Sequence, residues 1–310
     1  MELSSDFSEQ SKNVRRGTWA AIASYGMWGL FPIYWKQIAN IDAVQILCHR
    51  IVWSAAFLLL ALLAAGAIRE LRPIFKNKSN FLYICLCAIL ITGNWGTYIW
   101  AVNSGHITES SLGYYITPLL SVALGSLFFK EKLGRWTIAA LAVASLGVII
   151  AAAMIGKPPF IALSLAATFS VYGALKKKAG LDALSGLAAE TIVAAPFALL
   201  WLCFLGQHFL GMSDIFGPNT KSASLLVIAG PVTAVPLLTF AYAANRLPLQ
   251  RIGFIQYFSP TIQLALGLAV YGERIGPPMA VAFAAVVVAV ALYYLGPKLG
   301  PKLGPNVRET

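Results

Sequence analysis

The sequence predicts an all-α polytopic membrane protein, with ten transmembrane helices in two inverted five-helix repeats. Three observations carry this expectation. The composition is apolar and poor in charge, the apolar residues gather into runs of membrane-spanning length, and the two halves of the chain match each other. Of the 310 residues, 58% are apolar and only 11% charged. An ordinary soluble domain carries about 25% charged residues. Residues 138–155 and 277–295 contain no charge at all. Runs of that length suit a hydrocarbon core of about 30 Å. The net charge of +11 would point to nucleic acid in a soluble protein. Here the basic residues sit in short clusters between apolar runs, where they act as topology signals and contacts to lipid headgroups.

The expected helices are 17–36, 43–68, 81–102, 107–129, 136–155, 159–176, 183–205, 222–243, 250–271 and 277–295. The first follows Lys12, Arg15 and Arg16 but contains Trp19, Trp28 and Pro32, with no clear small-residue cleavage site. It therefore reads as a retained helix and not a cleaved signal. The second carries Arg50, the third Asn94 and Trp95, and the seventh Glu190. The fifth and tenth are built around the two uncharged runs. The connections are mostly short, which places helices adjacent in sequence beside each other. The longest gap runs from Gly206 to Lys221. Residues 1–16 are expected as a cytoplasmic N-terminal segment, 17–155 as the first repeat, 156–295 as the second, and 296–310 as a low-complexity cytoplasmic tail that repeats LGPK.

Basic residues set the orientation. With the N-terminus in the cytoplasm, 18 of the 23 Lys and Arg residues fall on that side. The other side holds Lys36, Arg50, Lys157, Lys221 and Arg274. Cytoplasmic enrichment of Lys and Arg is the general rule, so both termini are expected in the cytoplasm of a cell inner (plasma) membrane.

Shifting the sequence by 142 residues places Thr97 on Thr239, Asn103 on Asn245, Tyr115 on Tyr257, Pro118 on Pro260 and Glu131 on Glu273. In all, ten identities fall across 38 positions without a gap. Further upstream the offset becomes 140, and Asp42 falls on Asp182 and Arg50 on Glu190. A five-helix unit has an odd number of crossings, so its two copies enter the membrane from opposite sides. Inverted repeats around a midplane site are a recurring construction of secondary transporters.

The stretches WGLFPIYWK (28–36), CHRIVWS (48–54), NWGTYIWAVNSGHITESSLGYYITP (94–118) and GPVTAVPLLTFAYAANRLPLQRIGFIQYFSPT (230–261) resemble the RarD group of EamA-type transporters, in the drug/metabolite transporter superfamily. The resemblance covers roughly residues 17 to 295. Thr117 departs from it, since the family pattern tends to have Asn there. The resemblance implies ten helices in two inverted halves, cytoplasmic termini and a central cavity. It also implies export or permeation of metabolites or drugs, with chloramphenicol as the namesake association.

Candidate substrate-binding residues are Arg50, Glu190, Trp28, Asn94, Trp95, Tyr98, Tyr114, Ser121, Gln256 and Gln263. A charged residue inside a membrane helix costs roughly 2.5–3.5 kcal/mol on insertion scales and defaults to a functional reading. Arg50 offers forked donors to an anionic group such as a substrate carboxylate, or it snorkels to the outer face. Glu190 is either a proton-coupling carboxylate or a partner for an amine, or it makes a structural hydrogen bond. At 1.5 Å per residue the two charges differ in depth by about 12 Å, too far for a direct ion pair. Tyr114, Pro118, Ser121 and Gly125 share one helical face, as do Gln256, Pro260, Gln263 and Gly267 at equivalent places. These faces line a cavity, or they pack through small residues and hydrogen bonds. Trp28, Trp95 and Tyr98 are aromatic surfaces for a planar or cationic ligand, or ordinary packing. His49 reads as structural, and Glu131 and Glu273 as loop caps paired locally with Lys132 and Arg274.

The four cysteines lie in apolar stretches and read as packing residues. No phosphate-binding loop, zinc motif or nucleophile–base pair is present. No cofactor and no enzymatic activity are therefore expected. The expected partners are a small-molecule substrate, a coupling proton and membrane lipids. The expected function is a secondary active permease, an exporter, for small organic metabolites or drug-like molecules. The alternative is a scaffold or lipid-binding protein with no transport cycle. The basic bias makes a prediction about topology. In intact cells, cysteines introduced at Asn77 and Lys177 should resist an impermeant thiol reagent, and one at Asn219 should react. The reverse labelling would overturn the orientation.

Overall fold

The structure, a computed structural model, describes residues 2–104, 106–156, 158–205, 216, 219–272 and 275–299. The described residues form helices and no strands. They are α1 (Glu2–Trp35), α2 (Ala43–Ala64), α3 (Leu71–Lys76), α4 (Lys78–Asn103), α5 (Ile107–Phe129), α6 (Arg135–Ile155), α7 (Phe160–Ala179), α8 (Ala183–Leu200), α9 (Thr220–Ala244), α10 (Leu249–Gln256), α11 (Phe258–Ala269) and α12 (Pro277–Leu299). Eight helices among the described residues are long and apolar enough to cross a membrane, with Leu249–Ala269 taken as one span. α1 and α7 are long but fall outside that set. Charged and polar residues fill the first half of α1, and α7 carries Ser164, Thr168, Ser170 and Lys176–Lys178.

Beyond shifts of a few residues at the ends of α2, α4, α7 and α8, two boundaries differ from expectation. α1 starts at Glu2, well before residue 17, because its polar first half is itself helical. At the other end, α12 runs on to Leu299 through Pro297, so the first LGPK copy is helical and not part of an extended tail. Residues 300–310 lie outside the described residues, as do Glu273, Arg274 and most of the Gly206–Lys221 connection. A third difference lies within the expected 250–271 helix, which breaks at Tyr257 into α10 and α11. Pro260 has no N–H to offer the Gln256 carbonyl four residues back, and a helix bends where that bond is missing.

The repeat seen in sequence has a local counterpart. Asp42 and Asp182, matched at offset 140, cap equivalent helices in the same way. The Asp42 carboxylate accepts from the N–H groups of Val44 and Gln45 (2.9 and 3.1 Å). Asp182 accepts from those of Leu184 and Ser185 (2.9 and 3.1 Å). Each satisfies donors that a helix start leaves orphaned. Partial burial acts to raise the Asp182 carboxyl, but its hydrogen bonds from Ser185 and Leu184 prevail and hold it below the usual carboxylate range.

Helix packing follows the same symmetry. Exchanging each helix for its counterpart in the other half reproduces the main helix contacts. α6 packs on α12, α2 on α8, and α5 on α10. The remaining main contacts come in exchanged pairs: α5–α7 with α1–α11, α4–α7 with α1–α9, and α2–α9 with α4–α8. The bundle is apolar on its outer surface, and its buried polar groups lie inside, among a largely apolar core. Leu60, Ile89, Leu127, Ile149, Phe160 and Phe197 are exposed, whereas Arg50, Asn94, Glu109, Ser121, Lys176, Glu190 and Gln256 are buried. That arrangement suits hydrocarbon as the surrounding solvent.

Without a hydrophobic drive between helices in lipid, close backbone approach does the packing. A Cβ at Gly230 in α9 would lie 2.3 Å from the Trp53 carbonyl carbon in α2. A Cβ at Gly147 in α6 would lie 2.1 Å from the Ala285 Cβ in α12. Gly230→Ala should therefore force α2 and α9 apart and cost about 1–3 kcal/mol or more, as overpacking does. Gly93→Ala, with nothing within 4 Å of the added methyl, should be neutral or gain up to about 1 kcal/mol of helix propensity. Thermal unfolding of the purified variants measures both, and equal melting temperatures would contradict the packing assignment.

Candidate functional site

Arg50 sits in the second turn of α2 and is buried. Its Nε donates to Thr233 Oγ1 of α9 at 3.0 Å. Trp35, at the end of α1, and Trp95, in α4, hold the guanidinium between two indole rings, 4.6 and 4.2 Å from their centroids. Tyr98 and Tyr114 pack edge to face with centroids 5.8 Å apart. Both lie near Arg50, as does Tyr34. Among the described residues no carboxylate lies within ion-pair distance of Arg50. The cation is thus held by two π faces and a hydroxyl, with no counter-ion among the described residues. Sequence reasoning named Arg50, Trp95, Tyr98 and Tyr114 separately, and the fold brings all four together.

Glu190 in α8 is buried and has its own partner. Lys176 Nζ, in the last turn of α7, donates to Glu190 Oε1 at 2.8 Å, and the Tyr172 hydroxyl donates to Oε2 at 3.2 Å. Arg50 and Glu190 form no ion pair with each other, as the depth argument expected. Lys176 itself is a correction. The expected helix ended at Lys176, but α7 continues to Ala179, and Gly180 in the left-handed conformation ends the helix. Four-residue spacing from Tyr172 was the signal in the sequence, because i and i+4 share a face.

Other candidates are engaged in packing. Asn94 donates both amide hydrogens across to α7, to the Leu165 carbonyl and to Thr168 Oγ1, each at 2.8 Å. Ser121 reaches Ser170 at 3.3 Å, and Ser170 donates to the Thr117 carbonyl at 3.0 Å. Gln263 in α11 donates to the Trp28 carbonyl at 3.1 Å and to Ser259 at 3.3 Å. Gln256 accepts from the Tyr25 hydroxyl at 3.5 Å. Trp28 belongs to a ring cluster with Tyr25, Phe169 and Phe240 at 5.3, 5.6 and 5.8 Å. His49 accepts from Trp53 Nε1 at 3.1 Å. Glu131 does cap a helix, but a distant one. Its carboxylate accepts from the N–H groups of Leu249 and Gln250 at the start of α10 (2.7 and 3.0 Å) and pairs with Lys177 at 3.4 Å.

The pattern of the EamA-like transporter family matches residues 15–153 and again residues 157–295. The chain belongs to the EamA-like transporter family. It is a multi-pass membrane protein of a transporter family, and its two matched segments are two EamA units. It is 43% identical over 284 residues to an uncharacterized transporter of Pseudomonas aeruginosa, covering 91% of this chain and 94% of that one. It is 37% identical over 286 residues to protein RarD of Escherichia coli, covering 92% and 96%. A solved structure titled only as a crystal structure of a protein superposes with a TM-score of 0.69 at 16% identity, covering 90% of this chain and 97% of that one. That likeness extends to the fold. The sequence resemblance to the RarD group therefore holds.

Within this EamA pair, Thr233, Trp35, Tyr172 and Lys176 are the residues that sequence reasoning passed over. Thr233 and Trp35 lay inside the motifs that carried the resemblance, but no charge or spacing marked them. The Asn94 bonds predict a specific loss. Asn94→Leu should loosen α4 from α7 by about 0.6–1.7 kcal/mol for each interhelical hydrogen bond removed. Thermal unfolding in detergent measures it, and an unchanged melting temperature would show the bonds to be unimportant.

Proposed function

We propose that this protein is a secondary active transporter that moves small organic metabolites or drug-like molecules by alternating access, with net export. In this reading ten helices cross an inner membrane in two inverted halves, with both termini in the cytoplasm. The two EamA units, the exchange symmetry of their contacts and the excess of Lys and Arg on one side support it. Eight of the crossings are apolar enough to stand alone. α1 and α7 carry their polar faces against the bundle, where Tyr25, Trp28, Ser170, Tyr172 and Lys176 are engaged.

The observation that carries the reading is Arg50. A buried charge in a membrane helix is expensive and is retained for a purpose. Here the guanidinium has a hydroxyl and two indoles around it and, among the described residues, no acid. That leaves its charge for an anionic group on the cargo, with Trp95, Tyr98 and Tyr114 as the adjoining wall. Trp28, Asn94, Ser121, Gln256 and Gln263 then position the helices that form this wall.

The test is counterflow in proteoliposomes with labelled small aromatic and aliphatic carboxylates, each paired with its uncharged amide. The wild-type protein should exchange at least one carboxylate and favour it over the amide. Arg50→Gln should reduce that exchange by about tenfold to a hundredfold, the equivalent of roughly 1.5–3 kcal/mol for a hydrogen bond to a charged group. Arg50→Lys should fall between, since it keeps the charge and loses the fork. Exchange that is indifferent to Arg50→Gln would remove Arg50 from the binding site.

A further inference from the structure

Two small cavities meet at Glu190. One, of about 10 Å³, runs toward the Lys-rich end of the bundle and is bounded by Tyr83, Cys87, Lys176, Leu181, Asn245 and Glu190. The other, of about 20 Å³, runs the opposite way between α2, α4, α8 and α9, and its walls include Ser54, Thr191, Trp95, Thr233 and Glu190. About 10–15 Å³ is the room one water needs. Each cavity is thus of single-water size, and Glu190 is common to both. Trp95 and Thr233, the far wall of the second, are two of the groups that hold Arg50. Lys176 and Glu190 are an ion pair with side chains only 7% and 3% exposed.

We propose that the Lys176–Glu190 pair is the coupling site of the transport cycle, a place where one proton is taken up and released. This rests on the transport reading above and deepens it. The proton adds to a carboxylate oxygen of Glu190. The carboxyl becomes neutral, the attraction to the Lys176 ammonium is lost, and the pair passes from a net charge of zero to plus one. Release of the proton, through water in the cavity toward Asn245, restores the pair. No covalent bond other than the O–H forms or breaks. The added charge sits on α7 and the neutralised carboxyl on α8, so protonation loosens the contact between these two helices. The second cavity places the same event beside the residues that hold the cargo anchor.

The surroundings suit a proton. α7 faces the carboxylate with Lys176 and Tyr172, and α4 with Cys87 and Tyr83. α2 and α9 bring Ser54 and Thr233, which do not ionise, and α3 brings Ile74 against Ala189. A metal cation would need several further oxygen ligands. Among the described residues no group of three His, Cys, Asp or Glu side chains is placed to hold one. The Lys176 ammonium already occupies the cation position of the carboxylate.

The experiment is a pH jump on proteoliposomes adsorbed to a solid-supported membrane, with no cargo present. Binding a proton inside the membrane displaces charge and gives a transient current. The wild-type protein should give one, and Glu190→Gln should reduce it to the level of protein-free vesicles. Lys176→Met should silence it as well, because a buried carboxyl without its cation stays neutral. The double variant Lys176→Met/Glu190→Gln removes both charges, leaves no unpaired ion, and keeps the test available if a single variant folds poorly. A full-size transient in Glu190→Gln or in the double variant overturns the proposal. So does a wild-type protein that gives no transient above protein-free vesicles. Neither result touches the transport reading, because counterflow exchange is measured without an ion gradient.

Discussion

A charge placed among apolar helices, away from water, must be compensated by the protein itself. Much of this structure follows from how that is done for Arg50, Lys176 and Glu190. In hydrocarbon the cost of an isolated ion is too large for ordinary packing to absorb, so partners must come from other helices. Arg50 draws in Trp35 from α1, Trp95 from α4 and Thr233 from α9. Glu190 draws in Lys176 and Tyr172 from α7. Three long helices, α4, α7 and α9, and the end of α1 are thereby tied to α2 and α8, which themselves pack face to face. The two compensations differ in kind. One pairs opposite charges, and the other surrounds a cation with two π faces and a hydroxyl, with no counter-ion among the described residues.

The two EamA units reuse one set of packing rules. Asp42 and Asp182 start equivalent helices with the same cap, and glycines at close crossings let backbones approach where a methyl would collide. The exchange symmetry of helix neighbours follows, since equivalent helices carry equivalent small-residue faces. Symmetry breaks where chemistry differs. Arg50 and Glu190 occupy equivalent places with opposite signs. α5 passes through Pro118 unbroken, while its counterpart breaks into α10 and α11 just before Pro260. Glu131 then serves the start of α10, accepting from two of its free N–H groups while holding Lys177. That carboxylate belongs to the first unit and its partners to the second, so it joins the halves at the Lys-rich end.

The buried polar groups thus divide into two populations. Asn94, Ser121, Ser170 and Gln263 bond to backbone or hydroxyl groups of a neighbouring helix and hold the bundle in register. Glu190 lines two small cavities, and Trp95 and Thr233, which hold Arg50, line one of them between α2, α4, α8 and α9. Interhelical hydrogen bonds of the first kind contribute modestly and many are needed. The second kind would be costly unless put to use.

Much was legible in the sequence because membrane insertion is a local problem. Eight helices are apolar along their own length, so composition alone marked those spans and basic clusters bounded them. The repeat was legible too, since rare residues such as Asp42, Pro118 and Glu131 recur at a fixed offset. Arg50 and Glu190 stood out because a single charge in an apolar run is conspicuous without knowing its surroundings. Partners were not legible. Lys176 stood at the expected end of its helix, α7 continues past it, and only the turn at Gly180 folds α8 back so that Glu190 meets it. Glu131 looked like the partner of its neighbour Lys132, and its ligands lie more than a hundred residues away. The two indoles around Arg50 come from different helices, each with an ordinary aromatic pattern. The sequence by itself determined which residues would need partners, because desolvation cost is a property of the residue and its segment. Which partners they found was decided only by tertiary packing, because that depends on distances between helices that no local pattern encodes.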